Sequence, residues 1–226
     1  MKNYKTIAII PAYNEEEVIS SVLKEVKKQV DEIILIDDGS EDKTAELAAQ
    51  EGVFVLRHLI NRGQGASLKT GIDFVLKRGR GDIIITFDAD GQHQASEIKE
   101  IIDPIIKGEC QVALGSRFLD KKSEIPIFRK FILKTATFFS RFFLKLKITD
   151  VHNGFRAFSK EAISLIEIQQ DGMAHASEIL SEIKKHNLKF KEVPVTIEYT
   201  VYSKSKGQSS WNAFKILWDL ILQKIL

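Results

Sequence analysis

The sharpest chemical signal is the run Asp88-Ala89-Asp90-Gly91-Gln92-His93, which follows an apolar stretch ending at Phe87. An extended strand points alternate side chains to one side, so Asp88 and Asp90 share a face, and the turn after them brings Gln92 near. Two carboxylates and an amide oxygen are hard ligands, suited to Mg2+ or Mn2+ with diphosphate oxygens completing the shell. His93 flanks this set as a hydrogen-bonding neighbour. Four further polar clusters close apolar runs: Pro11-Ala12-Tyr13-Asn14-Glu15, Asp37-Asp38-Gly39-Ser40, Asn61-Arg62-Gly63-Gln64-Gly65-Ala66 and Ser116-Arg117-Phe118. Each precedes a helix or a loop whose backbone N–H groups can face a phosphate. The cluster at 61–66 lacks the third glycine of a dinucleotide fingerprint, which disfavours a hydride-transferring enzyme.

These clusters need a framework that gathers them. Apolar runs at Thr6 to Ile10, Glu32 to Ile36, Val53 to Leu56, Asp82 to Phe87 and Gln111 to Gly115 read as strands. Helical periodicity fills residues 15–29, 42–51, 65–78 and 95–106 between them. Strands apolar on successive residues are covered on both faces, as in a parallel sheet. The alternation predicts an α/β fold, an open sheet flanked by helices, with ligands beyond the carboxyl ends of the strands. A further strand is expected around Pro194 within Lys189 to Tyr199. We expect a single domain over 1–226, with residues 1–118 as a nucleotide-binding half and 119–226 as an acceptor and membrane-facing half.

The 226 residues carry 33 Lys plus Arg against 31 Asp plus Glu, a net charge of +2 that excludes a uniformly basic nucleic-acid binder. That small net value hides an uneven distribution. Residues 125–149 hold six basic and no acidic residues, and 201–226 hold four lysines and one aspartate, which leaves an acidic remainder. In the first of these segments Phe128, Phe131, Ile132, Phe138, Phe139, Phe142, Phe143 and Leu146 fall on one side of a helical wheel. Lys130, Lys134, Arg141 and Lys145 form a separate stripe, the pattern of a helix lying in a membrane interface. Trp211 and Trp218 on a last amphipathic helix favour headgroup depth. One cysteine, no signal-peptide pattern and no apolar run of spanning length predict a protein peripheral on the cytoplasmic face of a membrane.

Residues 11–16, 37–40 and 88–93 together resemble the inverting glycosyltransferases of family 2, with a GT-A fold. Ser116-Arg117-Phe118, Arg129 and the stretch Thr149 to Phe158 resemble, more narrowly, the polyprenyl-phosphate branch that includes dolichyl-phosphate mannose and glucose synthases. The resemblance implies that Pro11, Ala12, Tyr13 and Glu15 border the nucleotide, that Ile36 contacts the base and that Asp38 hydrogen-bonds it. It implies Asp88, Ala89, Asp90 and Arg117 at the nucleotide sugar, with Asp88, Asp90 and Gln92 on the metal. Lys204 and Lys206 resemble a basic loop that closes over the diphosphate. The branch commonly has a lysine at the place of Gln64, and its replacement removes a phosphate contact.

These readings predict metal-dependent, inverting transfer of a hexose from a nucleotide diphosphate sugar, of the GDP-mannose or UDP-glucose type, to polyprenyl or dolichyl phosphate at a membrane surface. An ionised phosphate acceptor needs no strong base, only cations that hold it in line with the anomeric carbon. Arg117 and Arg129 are the expected cations, because guanidinium binds phosphate bidentately. Asp150 is a general base if the acceptor is a hydroxyl; with a phosphate acceptor it organises the site or pairs with Arg156. The alternatives are a family 2 transferase with a hydroxyl acceptor and a catalytically silent nucleotide-sugar-binding subunit. A membrane-protein partner would supply anchorage.

Overall fold

Along β1 (Thr6–Ala12), Ala8, Ile10 and Ala12 enter one hydrophobic cluster, while Ile7 and Ile9 enter another on the opposite face of the sheet. The same two-residue alternation divides β2 (Glu32–Asp37), with Ile33 and Leu35 on one side and Ile34 and Ile36 on the other. This explains the unbroken apolar runs: both faces are covered, and each fully buried Ile contributes about 1.5–3 kcal/mol. The computed structural model describes residues 4–119, 123, 130–131, 133–135, 137–138, 141 and 146–199.

The first face carries α1 (Ile19–Lys27), α2 (Thr44–Gln50) and α4 (Ile98–Ile106). Helix α1 buries Ile19, Leu23 and Val26, spaced to form one stripe, and ends with Lys24 and Lys27 near the negative end of its dipole. The second face carries α3 (Gln64–Lys77), α5 (Lys160–Ile163) and α6 (His175–Lys185). Truncating a side chain in either layer, for example Ile9→Ala, should cost about 2–5 kcal/mol.

With β3 (Phe54–Arg57), β4 (Ile83–Thr86), β5 (Val112–Ser116), β6 (Arg156–Ser159) and β7 (Phe190–Pro194), the sheet has the order β3-β2-β1-β4-β6-β5-β7. The expected parallel strands are present, and β7 contains Pro194. Strand β6 was not foreseen, and it runs antiparallel between β4 and β5. Its direction has a functional consequence. The residues before Arg156 emerge at the same edge as the carboxyl ends of the parallel strands, and Arg156 registers against Thr86 and Leu114. Both β6 and β7 thus join the sheet built by the first half of the chain. No helix among the described residues is long and apolar enough to cross a membrane.

Candidate functional site

Asp88 stands just beyond β4, where the antiparallel pairing with β6 brings Gly154 against it. A Cβ at Gly154 would lie 2.5 Å from both Asp88 carboxylate oxygens, so only glycine permits this approach. The Gln64 amide, at the start of α3, donates to Asp88 Oδ1 at 2.8 Å, and His93 Nε2 lies 2.9 Å from Oδ2. Burial alone would raise the Asp88 pKa, but the His93 hydrogen bond and charge, with His175 and Arg117, bring it below the ordinary value. His93 packs against the rings of Phe87 and Phe155, at 5.5 and 5.3 Å, and those two rings are 5.1 Å apart. Asp90 Oδ1 accepts from the Gln92 N–H at 3.0 Å, and Gln92 O accepts from Glu198 N at 2.9 Å. Ala89 between them is buried in the core.

Beside this acidic loop lies a buried ionic pair. Arg117 Nε donates to Asp150 Oδ2 at 2.6 Å, and the Arg117 backbone N–H donates to the same oxygen at 3.2 Å. Arg117 also donates to Tyr199 Oη at 3.4 Å and to the His152 carbonyl at 3.3 Å. Burial opposes its charge, yet the Asp150 carboxylate holds its pKa above the usual arginine value. Glu192 on β7 fastens the approach to this pair, accepting from Thr149 N, Thr149 Oγ1 and Asp150 N at 2.7, 2.9 and 3.3 Å.

Asp150 therefore pairs with Arg117, not with Arg156. Arg156 instead donates to the carbonyls of Asn153, Val151 and Ala176 at 3.0, 3.0 and 3.3 Å, tying the 150–156 loop to α6. Burial lowers its pKa to about 10, opposed by the charges of Asp88 and Asp150. Burial also lowers His152 and His175 to about 4, so both imidazoles are neutral at pH 7. Among the described residues, Asp150 Oδ1, Asn153 Nδ2, Arg156 Nη1 and His93 Nδ1 are buried without a hydrogen-bond partner.

At the other end of the same edge, Pro11 and Ala12 close β1, Tyr13 is 42% exposed, and Glu15 donates its backbone N–H to Thr44 Oγ1 at 2.7 Å. Ile36, expected to contact the base, has its side chain fully buried against α3 in the second core cluster. Asp38, expected to meet a base, is already engaged on both oxygens. His58 Nδ1 and the Arg62 N–H lie 2.7 and 3.0 Å from Oδ1, and the Gly63 N–H donates to Oδ2 at 2.7 Å. His58 continues to Thr70 Oγ1 on α3 at 2.9 Å, so in this structure Asp38 clamps the 58–63 loop.

The glycine cluster, whose role the sequence left open, is thus the bridge between the acidic loops: Asp38 holds its backbone and its Gln64 reaches Asp88. His58, Glu192, Tyr199 and His175 escaped the sequence reading because single polar residues outside a motif carry no local signal, and Gln64 was read only for the phosphate contact it lacks. Arg129, Lys204 and Lys206 lie outside the described residues. Among the described residues no group of three or more His, Cys, Asp and Glu forms a metal cluster. The two-carboxylate, one-amide set at 88–92 has the hard oxygen chemistry of Mg2+ or Mn2+ ligands, although each Asp88 oxygen here already faces a donor.

The family model for glycosyl transferase family 2 matches residues 7–166. The UDP-N-acetylglucosamine–dolichyl-phosphate N-acetylglucosaminyltransferase of Methanococcus voltae is 33% identical over 239 residues, covering 96% of this chain and 95% of that protein. The polyprenol monophosphomannose synthase of Mycolicibacterium smegmatis is 31% identical over 207 residues, covering 87% and 77%. The crystal structure of glucosyl-3-phosphoglycerate synthase from Mycobacterium tuberculosis in complex with Mn2+ and UDP-glucose superposes with a TM-score of 0.75 at 18% identity, covering 97% of this chain and 77% of that one. That likeness shows the shared GT-A fold.

Proposed function

The chain belongs to glycosyl transferase family 2, and from that premise we propose that it transfers a sugar from a nucleotide diphosphate donor, with inversion, to a polyprenyl phosphate at a membrane surface. The observation that carries the acceptor assignment is the Arg117–Asp150 pair. Asp150 has one oxygen on Arg117 and the other buried, so it is not presented as a base to an acceptor hydroxyl. A phosphate acceptor is already ionised and needs no such base. The two relatives named for dolichyl phosphate and polyprenol products support the same reading.

The residues divide the work. Arg117 has five N–H groups, of which Nε and one on each terminal nitrogen are engaged, leaving two that can meet phosphate oxygens. Asp150 keeps that guanidinium oriented, and Glu192 keeps Asp150 in place. Asp90 and Gln92, with Asp88 behind them, would hold Mg2+ or Mn2+, which when bound neutralises charge on the departing diphosphate. Gln64 and His93 fix the Asp88 carboxylate.

The test is incubation of purified protein with Mn2+ or Mg2+, a polyprenyl phosphate and labelled UDP-N-acetylglucosamine, UDP-glucose or GDP-mannose. One donor should yield an organic-extractable glycolipid with inverted anomeric configuration. Label found solely on a soluble hydroxyl acceptor would overturn the lipid assignment.

A further inference from the structure

We propose that Asn14 is a positioning residue for the nucleotide, acting through Tyr13, an inference that rests on the nucleotide-sugar donor reading above. Asn14 has a φ of 55°, in the left-handed region that a residue with a Cβ seldom occupies. Among the described residues one other non-glycine shares it, Asn187 at 51°, and that residue follows the C-cap of α6, where helices commonly end in this conformation. No helix end accounts for Asn14. It stands between β1 and α1, directly after Tyr13, and reciprocal bonds hold it in place. Its backbone N–H donates to Ser40 Oγ at 2.9 Å, and its side-chain Oδ1 accepts from the Glu41 N–H at 2.9 Å. Ser40 is buried and is tied in turn, its own N–H donating to Asp37 Oδ1 at 3.3 Å.

The following residues repeat this clamp between the loops after β1 and β2. The Glu15 and Glu16 N–H groups donate to Thr44 Oγ1 and Asp42 Oδ2 at 2.7 and 3.2 Å, and the Lys43 N–H donates to Glu16 Oε2 at 3.1 Å. On the strand side, Asp38 N donates to Ala12 O at 2.8 Å. Tyr13 therefore lies between two fixed points, Ala12 before it and Asn14 after it. Its position is also the one where a ligand belongs. Strand β1 lies between β2 and β4, so the strand order reverses there, and open α/β sheets bind ligands in the crevice at such a reversal. After seven buried residues of β1, Tyr13 is the aromatic residue left exposed at that end. Holding the backbone on both sides of the ring narrows its directions before a base arrives, which lowers the ordering cost of binding.

The experiment is calorimetric titration of the full chain with UDP and with GDP in the presence of Mn2+, beside thermal denaturation of each variant. For the nucleotide that the wild type binds, Tyr13→Ala should weaken affinity about tenfold, and Asn14→Ala about five- to tenfold. Asn14→Asp keeps the acceptor oxygen and tolerates left-handed backbone, so its affinity should stay within about twofold of wild type. In the Tyr13→Ala background, adding Asn14→Ala should weaken affinity by less than about twofold more. Asn14→Gly keeps the left-handed freedom but loses the Glu41 bond, and it carries the same comparison if Asn14→Ala fails to fold. Unchanged affinity in the Asn14 variants, whatever their Tm, makes Asn14 a scaffold residue and overturns the proposal while leaving the donor reading intact. A full additive loss in the Tyr13→Ala background overturns the route through Tyr13. A wild type that binds neither nucleotide overturns the donor reading and this inference with it.

Discussion

Asp38, after β2, and Asp150, ahead of β6, are both buried carboxylates at the same edge of the sheet. Asp38 has donors on both oxygens, two of them backbone N–H groups of a strapped loop. Asp150 has donors on one oxygen, and its other oxygen shares the 150–156 loop with atoms of Asn153 and Arg156 that have no partner among the described residues. An unpaired buried polar atom costs about 1–3 kcal/mol, so a fold retains several together where something other than stability maintains them. The contrast teaches that matching acidic motifs at one sheet edge are held differently: donors from the 58–63 loop reach both oxygens of Asp38, whereas Asp150 meets Arg117 through one oxygen.

The strongest way to break this comparison is Arg117→Ala. It leaves Asp150 buried without its cation and should cost about 3–5 kcal/mol in urea denaturation, with glycolipid synthesis lost. Removing both partners in Arg117→Ala/Asp150→Ala should restore much of that stability but no activity. A single variant as stable as the wild type would show that the pair does not hold the 150–156 loop. Next comes Asp90→Ala, expected to lower turnover about 10²–10³-fold while shifting unfolding free energy by no more than about 0.5 kcal/mol.

Asp38→Ala should show the reverse pattern. Losing its hydrogen bonds should cost about 2–3 kcal/mol, with turnover of the folded fraction within about threefold of wild type by kcat. Turnover that collapses at unchanged stability would make Asp38 a ligand-binding group and end the contrast. The smallest effect concerns pH. Burial lowers His152 and His175 to about 4 in the fold from 6.5 for a solvated histidine, so the unfolded chain takes up their protons first. Stability from keeping them neutral is complete above pH 6.5 and lost as pH falls toward 4, roughly 1–2 kcal/mol for each histidine between pH 7 and 5. Replacing His175 by Gln should flatten that slope by one histidine's share in chemical denaturation at both pH values.

How much was legible follows from what each feature depends on. The strand-end clusters were found in sequence because each is contiguous, and the strands were found because burial on both faces leaves an apolar run. The bridge from Gln64 to Asp88 spans 24 positions and the Arg117–Asp150 pair spans 33, distances over which periodicity says nothing. Strand β6 is four residues long, Arg156–Ser159, and begins with an arginine, so it offers neither length nor alternation to recognise. Asp38 and Asp88 look equivalent in sequence because a motif reports a side chain's chemistry without reporting which donors have reached it first.

By itself, the sequence determined the α/β framework, the acidic and glycine-rich clusters at strand ends and the family resemblance that the comparisons uphold. These are local properties of composition and period. The tertiary structure alone decided that β6 enters antiparallel between β4 and β5, because strand order is set by how the sheet buries both faces at once. That entry turns the 150–156 loop toward Asp88, assigns Asp150 to Arg117 and leaves Arg156 to the backbone carbonyls. Which donors reach each carboxylate follows from those long-range placements.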